Sequence, residues 1–273
     1  MRAPRLPHIA DAPQFLIWNS QFFKRAPYHI ALTNGVFLTD RFVQGRGRYF
    51  VQPNHRFFTK AVRSFAFAPD ATCPTWLATL ENWLPEDSVL LLQEWFGYTQ
   101  VFDHRYEKFA FWIGPSRTGK STAKNVHEQL LGKENVSNVD LERFGIQFGL
   151  EESVGRSLNV APDVGTLSRV AEGNIKALVS GDRISFDRKY EKAISVEPAA
   201  RLQFLANEWP KLKDRSDAIF DRLLVIVFEN TIPEDEKRVG SRDAREYQYE
   251  GIRLADSDAK RRIRFAMKEF RLS

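Results

Sequence analysis

Cysteine is nearly absent from this sequence: Cys73 is its single thiol. That excludes an intramolecular disulfide and any metal site built on several cysteines, and it suits a reducing compartment. Long apolar runs are missing as well. Leu223 to Phe228 is one of the longest, far below the ~20 residues that cross a bilayer, so no membrane association is expected. The opening MRAPRLPHIADAP carries basic residues without an apolar core and does not read as a secretory signal. There is no internal repeat and no low-complexity segment. With 43% hydrophobic and 27% charged residues, the composition is near the globular norm and excludes a disordered chain, a collagen or a coiled coil. The 273 residues suffice for one large domain or two small ones, and 22 Phe and 6 Trp supply a core.

A strong charge of one sign is also lacking over most of the chain. The formal charge of +5 resides wholly in the stretch from Lys237 to Ser273, where eleven basic residues face six acidic ones. Any affinity of the preceding 236 residues for an acidic polymer must therefore come from local patches. The basic tail itself reads either as a solvated helix or as a nucleic-acid contact.

Turn and periodicity signals divide the rest. Up to about residue 60 the chain reads as irregular segments and short strands, with Asn34-Gly35 as a hairpin signal. From about Pro74 to Phe102 the spacing is helical, with Asp87-Ser88 as a cap for the second helix. FAFWIG (109–114), SLNVAP (157–162), RLQFLAN (201–207) and LLVIVF (223–228) read as buried strands separated by helical stretches. That alternation predicts an α/β fold with a mainly parallel sheet and helices on both faces.

Residues 114–121, GPSRTGKS, match the phosphate-loop pattern G-x-x-x-x-G-K-S/T, with a strand-like run before it and a helix-like run after it. Gly114 and Gly119 let the backbone curl so that its N–H groups face phosphate oxygens. Pro115, Ser116, Arg117 and Thr118 form the body of the loop, Lys120 would reach the β- and γ-phosphates, Ser121 would ligate Mg²⁺, and Thr122 continues into the helix. The bland alternative is a glycine-rich turn. Asp163, at the end of the SLNVAP run, is the candidate for holding the metal or orienting water, although Pro162-Asp163 is also turn chemistry. Asn207 ends another strand-like run, where an amide would hold the γ-phosphate or the lytic water, or simply make a turn.

Taken together, the segments resemble the helicase domain of phage and plasmid primases, a superfamily 3 branch of the AAA+ P-loop ATPases related to the poxvirus primase-helicase. The resemblance runs from about His29 to Pro233: ALTNGVF and LLLQEWFGY upstream, FWIGPSRTGKST as Walker A, SLNVAPDV as Walker B, the segment around GDRISFDRKYEKAI as the B′ region, and RLQFLANEWP as motif C. It implies an AAA+ type sheet flanked by helices and preceded by a smaller, mostly helical domain. The implied divisions are 1–105, an ATPase domain over 106–235, and a basic tail over 236–273. Asn207 would then be the sensor amide. Arg222, with Arg215 as second candidate, would reach the nucleotide of a neighbouring subunit, the alternative being a surface ion pair. Arg183, Arg188, Lys189 and Lys192, interleaved with Phe186 and Tyr190, would lie on a hairpin contacting single-stranded DNA, with Lys189 foremost; without the resemblance they read as a solvated strand pair.

The activity this implies is an ATP- and Mg²⁺-dependent DNA helicase or translocase of phage or plasmid replication. It would be a homo-hexameric ring on single-stranded or forked DNA in the cytoplasm of a bacterial host, with a separate primase or replication initiator as partner. Many relatives have Glu at the position of Asp163. The family's upstream primase domain is not expected within the roughly 105 residues before the ATPase strand, and the resemblance fades after Pro233. The alternative is therefore a nucleotide- and DNA-binding remnant that does not unwind.

Overall fold

The structure, a computed structural model, describes residues 29–53, 61–63, 65–102, 104–145, 150–162, 169–188, 191–208 and 219–230. The first elements are β1 (His29–Leu32) and β2 (Gly35–Leu38), an antiparallel hairpin. Leu32 pairs with Gly35, so the turn residues are Thr33 and Asn34, one place earlier than the Asn-Gly signal suggests. Gly35 is already in the strand, where a Cβ would lie 2.5 Å from the Phe50 ring. A short helix α1 (Thr39–Gln44) and β3 (Phe50–Val51) complete a three-stranded sheet around Leu32, Phe37 and Phe42.

Two helices follow, α2 (Pro74–Trp83) and α3 (Glu86–Tyr98). The second begins at Glu86 behind Pro85, with no side-chain cap. Asp87 and Ser88 thus lie within the first turn instead of capping it; Glu86 and Asp87 there complement the positive end of the helix dipole.

The main sheet contains β4 (Phe109–Ile113), β5 (Val136–Ser137), β6 (Leu158–Ala161), β9 (Arg201–Ala206) and β10 (Leu223–Val227). All pairings are parallel, in the order β10-β4-β9-β6-β5. The two-residue edge strand β5 has no periodicity of its own to betray it. Asn159 of β6 holds the chain beyond it, accepting from the Val139 N–H at 2.9 Å and donating to the Val139 carbonyl at 3.0 Å.

Period-two alternation sorts the strand residues onto two cores. Phe109, Phe111, Ile113, Leu202, Phe204 and Ala206 pack beneath α5 (Arg169–Ser180) through Ala171, Ile175 and Leu178. Ala110, Trp112, Leu158, Val160, Leu205 and Ile226 face α4 (Lys120–Leu131). Residues of α2 and α3, including Trp76, Leu80, Leu92, Trp95 and Phe96, belong to that second core. Each fully buried Leu or Phe contributes about 1.5–3 kcal/mol, so α2 and α3 are held to the sheet by continuous packing. Between β6 and β9, strands β7 (Ile184–Arg188) and β8 (Glu191–Val196) form an antiparallel hairpin outside the main sheet. No described helix is long and apolar enough to cross a membrane.

Candidate nucleotide site

The chain leaves β4, runs through α4 to the far edge of the sheet, and returns through β6 and β9. It then passes to the other side of β4 as β10. Between β4 and β9 the direction of winding reverses, and in open α/β sheets such a point, at the carboxyl ends of the strands, is where ligands bind. The 114–121 segment lies at this point. The Gly114 N–H donates to the Ala206 carbonyl at 3.3 Å, and the Phe228 N–H donates to the Ile113 carbonyl at 2.8 Å. Asn207, exposed and immediately beyond β9, therefore sits beside the start of the loop.

Two glycines are required by the local geometry. Gly114 has φ +151°, and a Cβ there would collide with the Phe228 carbonyl. Gly119 has φ +87°, and a Cβ would lie 2.5 Å from the Trp83 indole. Arg117 takes φ +70°, a left-handed conformation uncommon for a residue with a side chain. Pro115, Ser116 and Arg117 are exposed, Thr118 is buried, and α4 starts at Lys120 with Ser121 and Thr122 in its first turn. The Lys120 ammonium is buried and folded back on the loop, donating to the carbonyls of Gly114 at 2.5 Å and Pro115 at 2.6 Å. A cation sharing neutral carbonyls inside a curl of backbone exchanges them readily for phosphate oxygens, which are stronger acceptors. With the helix dipole behind it, this cradle fits a polyphosphate. Ser121 has an exposed position suited to a magnesium ion shared with that phosphate. Strand β6 carries the chain to Pro162; Asp163 lies outside the described residues. Among the described residues no group of three or more His, Cys, Asp or Glu is placed to hold a metal.

Arg222 is elsewhere. It precedes β10 at the amino edge of the sheet, level with the start of β4. Roughly 20 Å of strand separates that edge from the loop, beyond the reach of an arginine side chain. Its guanidinium donates to Glu107 Oε2 at 2.7 Å and to Ser180 Oγ at 3.4 Å. In the hairpin, Arg183 is exposed and pairs with Glu197 at 3.7 Å, while Arg188 and Lys192 occupy β7 and β8. Lys189, Tyr190 and Arg215 lie outside the described residues.

Beneath the loop is a buried polar group that motif reading missed. Gln203 Oε1 accepts from the Trp95 indole N–H at 2.8 Å and from His127 Nδ1 at 2.9 Å. An indole N–H only donates, which fixes the amide oxygen toward both partners. His127 is stacked on Phe96 at 4.1 Å, and burial lowers its pKa to about 3. The ring is therefore neutral with its proton on Nδ1, and Nε2 lies 2.7 Å from the Thr99 hydroxyl, which also reaches the Phe96 carbonyl at 2.9 Å. These bonds join α3, the loop-bearing helix α4 and strand β9, just beyond which Asn207 lies. A second buried anchor, Arg63, donates to Gln100 Oε1 at 2.7 Å and to the Leu131 carbonyl at 3.1 Å. Burial lowers its pKa to about 10. Isolated polar residues within apolar periodicity, such as Gln203 in RLQFLA, were the available signal.

A protein family described as a family of unknown function, DUF5906, matches residues 112–222, from β4 through Arg222. Over 148 residues the chain is 26% identical to "Putative helicase 121R" of Invertebrate iridescent virus 3, covering 46% of this chain and 15% of the viral protein. The fold is similar to that of the NrS-1 C-terminal region. One apo structure superposes with a TM-score of 0.54 at 14% identity, covering 77% of this chain and 52% of that one. A second gives 0.54 at 15% identity, covering 72% and 49%. The chain thus spans about half of these structures and a small part of the viral relative. At such identities the likeness to the solved structures is one of fold.

Proposed function

We propose that this chain is an ATP-driven motor on DNA, of the primase-associated superfamily 3 type, acting as a ring of subunits. The observation that carries the reading is the phosphate loop at the winding reversal of a parallel sheet, with Lys120 curled into it and Asn207 beside it. The similarity to a viral protein named as a helicase supports the choice of motor over other nucleotide-binding functions.

In this reading Lys120 and the loop amides of residues 114–122 hold the β- and γ-phosphates of ATP. Ser121 and Asp163 hold Mg²⁺, and Asn207 orients the γ-phosphate or the attacking water. Magnesium would offset phosphate charge in the transfer. Arg222, a strand's length from its own loop, serves the adjoining subunit's nucleotide, where a permanent guanidinium stabilises charge developing on the transferred phosphoryl group. The β7–β8 hairpin, with Arg183, Arg188, Lys189 and Lys192, contacts single-stranded DNA. Residues 106–235 form the ATPase domain, 1–105 the preceding domain and 236–273 a basic tail. The setting is replication of a phage or plasmid in the bacterial cytoplasm, with a hexameric ring and a separate primase or initiator.

The test is ATP hydrolysis with and without single-stranded DNA, for the wild type and Lys120→Ala. DNA-stimulated turnover that disappears in the variant is expected. Turnover that survives Lys120→Ala would refute the assignment of the loop. Nucleotide binding without turnover would favour a non-unwinding relative of such motors.

A further inference from the structure

The phosphate loop has an aromatic neighbour that lies outside its sequence pattern. Trp83, the last residue of α2, stands against Gly119 so closely that a Cβ there would lie 2.5 Å from its Cδ2 and Cε3 atoms. The indole is half-buried and meets Trp76 edge-on, with centroids 6.2 Å apart and planes at 89°. Its place is therefore set by core packing, independently of the loop. The same rim is closed from the other side. Asn230, just past β10, donates from Nδ2 to the Asn82 carbonyl at 2.7 Å, tying the end of α2 to the chain leaving the sheet.

The loop's own groups are amides, hydroxyls and one ammonium. They recognise phosphate and would take any polyphosphate. Discrimination of a nucleotide needs a flat apolar surface within reach of the phosphates, and Gly114 to Ser121 contains none. We propose that Trp83 is the base platform of this site, its indole receiving the nucleobase of a nucleoside triphosphate whose phosphates lie in the 114–121 loop. This rests on the phosphate-loop reading above and adds to it a residue that sets specificity. Every base has a π face, so stacking on an indole separates nucleotides from bare polyphosphate while discriminating weakly among bases.

The experiment is equilibrium binding, by calorimetry with Mg²⁺, of a non-hydrolysable imido analogue of ATP and of inorganic tripolyphosphate. The full chain is compared with Trp83→Leu, Trp83→Phe and Lys120→Ala. Trp83→Leu is expected to weaken the nucleotide about tenfold while leaving tripolyphosphate unchanged, and Trp83→Phe to keep most of the affinity, which also covers the case in which the leucine variant does not fold. Lys120→Ala should weaken both ligands. Equal loss of both ligands in the Trp83 variants would make the indole a packing support for the loop and overturn the proposal, as would unchanged nucleotide affinity. A wild type that binds tripolyphosphate no more weakly than the nucleotide would overturn the platform but not the loop; one that binds neither would overturn both.

Discussion

Acidification should destabilise this protein through His127, and the size of the effect follows from its surroundings. The ring is fully buried between Phe96 and the Thr99–Gln203 pair. Burial and the Arg63 charge lower its pKa from 6.5 to about 3, outweighing the hydrogen bond to Gln203, which raises it. Because the folded value is the lower one, the unfolded chain binds the extra proton. The stabilisation is complete above pH 6.5 and is lost as the pH falls toward 3. One proton per molecule corresponds to about 1.4 kcal/mol per pH unit, or roughly 2 kcal/mol between pH 6.5 and pH 5. Urea unfolding of the wild type and His127→Gln at pH 7.5, 6.5, 5.5 and 5.0 measures this. The variant should be less stable at pH 7.5 by about 1–3 kcal/mol, having lost part of a buried hydrogen-bond group, but should show a shallower decline in acid. His29, also lowered chiefly by burial, titrates in both proteins, so the difference isolates His127. Equal slopes would refute the neutral, buried assignment.

Gly119→Ala should abolish nucleotide binding and lower stability by about 1–3 kcal/mol, because φ +87° and the Trp83 ring both exclude a Cβ; calorimetry and thermal unfolding test this together, and normal binding would contradict the loop geometry. Mixing Lys120→Ala with Arg222→Ala, each inactive alone, should restore about a quarter of wild-type hydrolysis if subunits assemble at random and the arginine acts across their interface; an unrestored mixture would confine Arg222 to its bond with Glu107. Arg63→Met should cost about 2–4 kcal/mol in urea unfolding, since it strands the side-chain and backbone oxygens of Gln100, while the Leu131 carbonyl keeps its bond from Asn135; a change under 0.5 kcal/mol would show the Gln100 acceptors to be satisfied otherwise.

The main strands and the curl of the 114–121 segment were legible in the sequence because each is governed by local rules. FAFWI and LLVIV are apolar on both faces, and LNVA and RLQFLA depart from that only at Asn159, Arg201 and Gln203, as suits strands buried beneath two helical layers. GPSRTGKS needs its glycines because a Cβ at Gly114 or Gly119 would collide with its neighbours. The Asn34 hairpin was legible too, although its turn fell one residue early, since Gly35 was needed for close approach to Phe50 and not for the turn. Local rules also predicted a cap at Asp87-Ser88, and there Pro85 set the start of the helix instead.

What remained hidden depends on contacts between residues far apart in the chain. No pattern joins Trp95, His127 and Gln203, or brings Trp83 to Gly119. Nor does a pattern fix the order β10-β4-β9-β6-β5, which brings Asn207 beside the loop and leaves Arg222 at the opposite edge. Periodicity determines which face of an element is apolar. Which face it meets is decided only when all the elements compete to bury the same sheet, so the sequence by itself determined the strands and the loop, and the tertiary structure alone decided the neighbours that surround them.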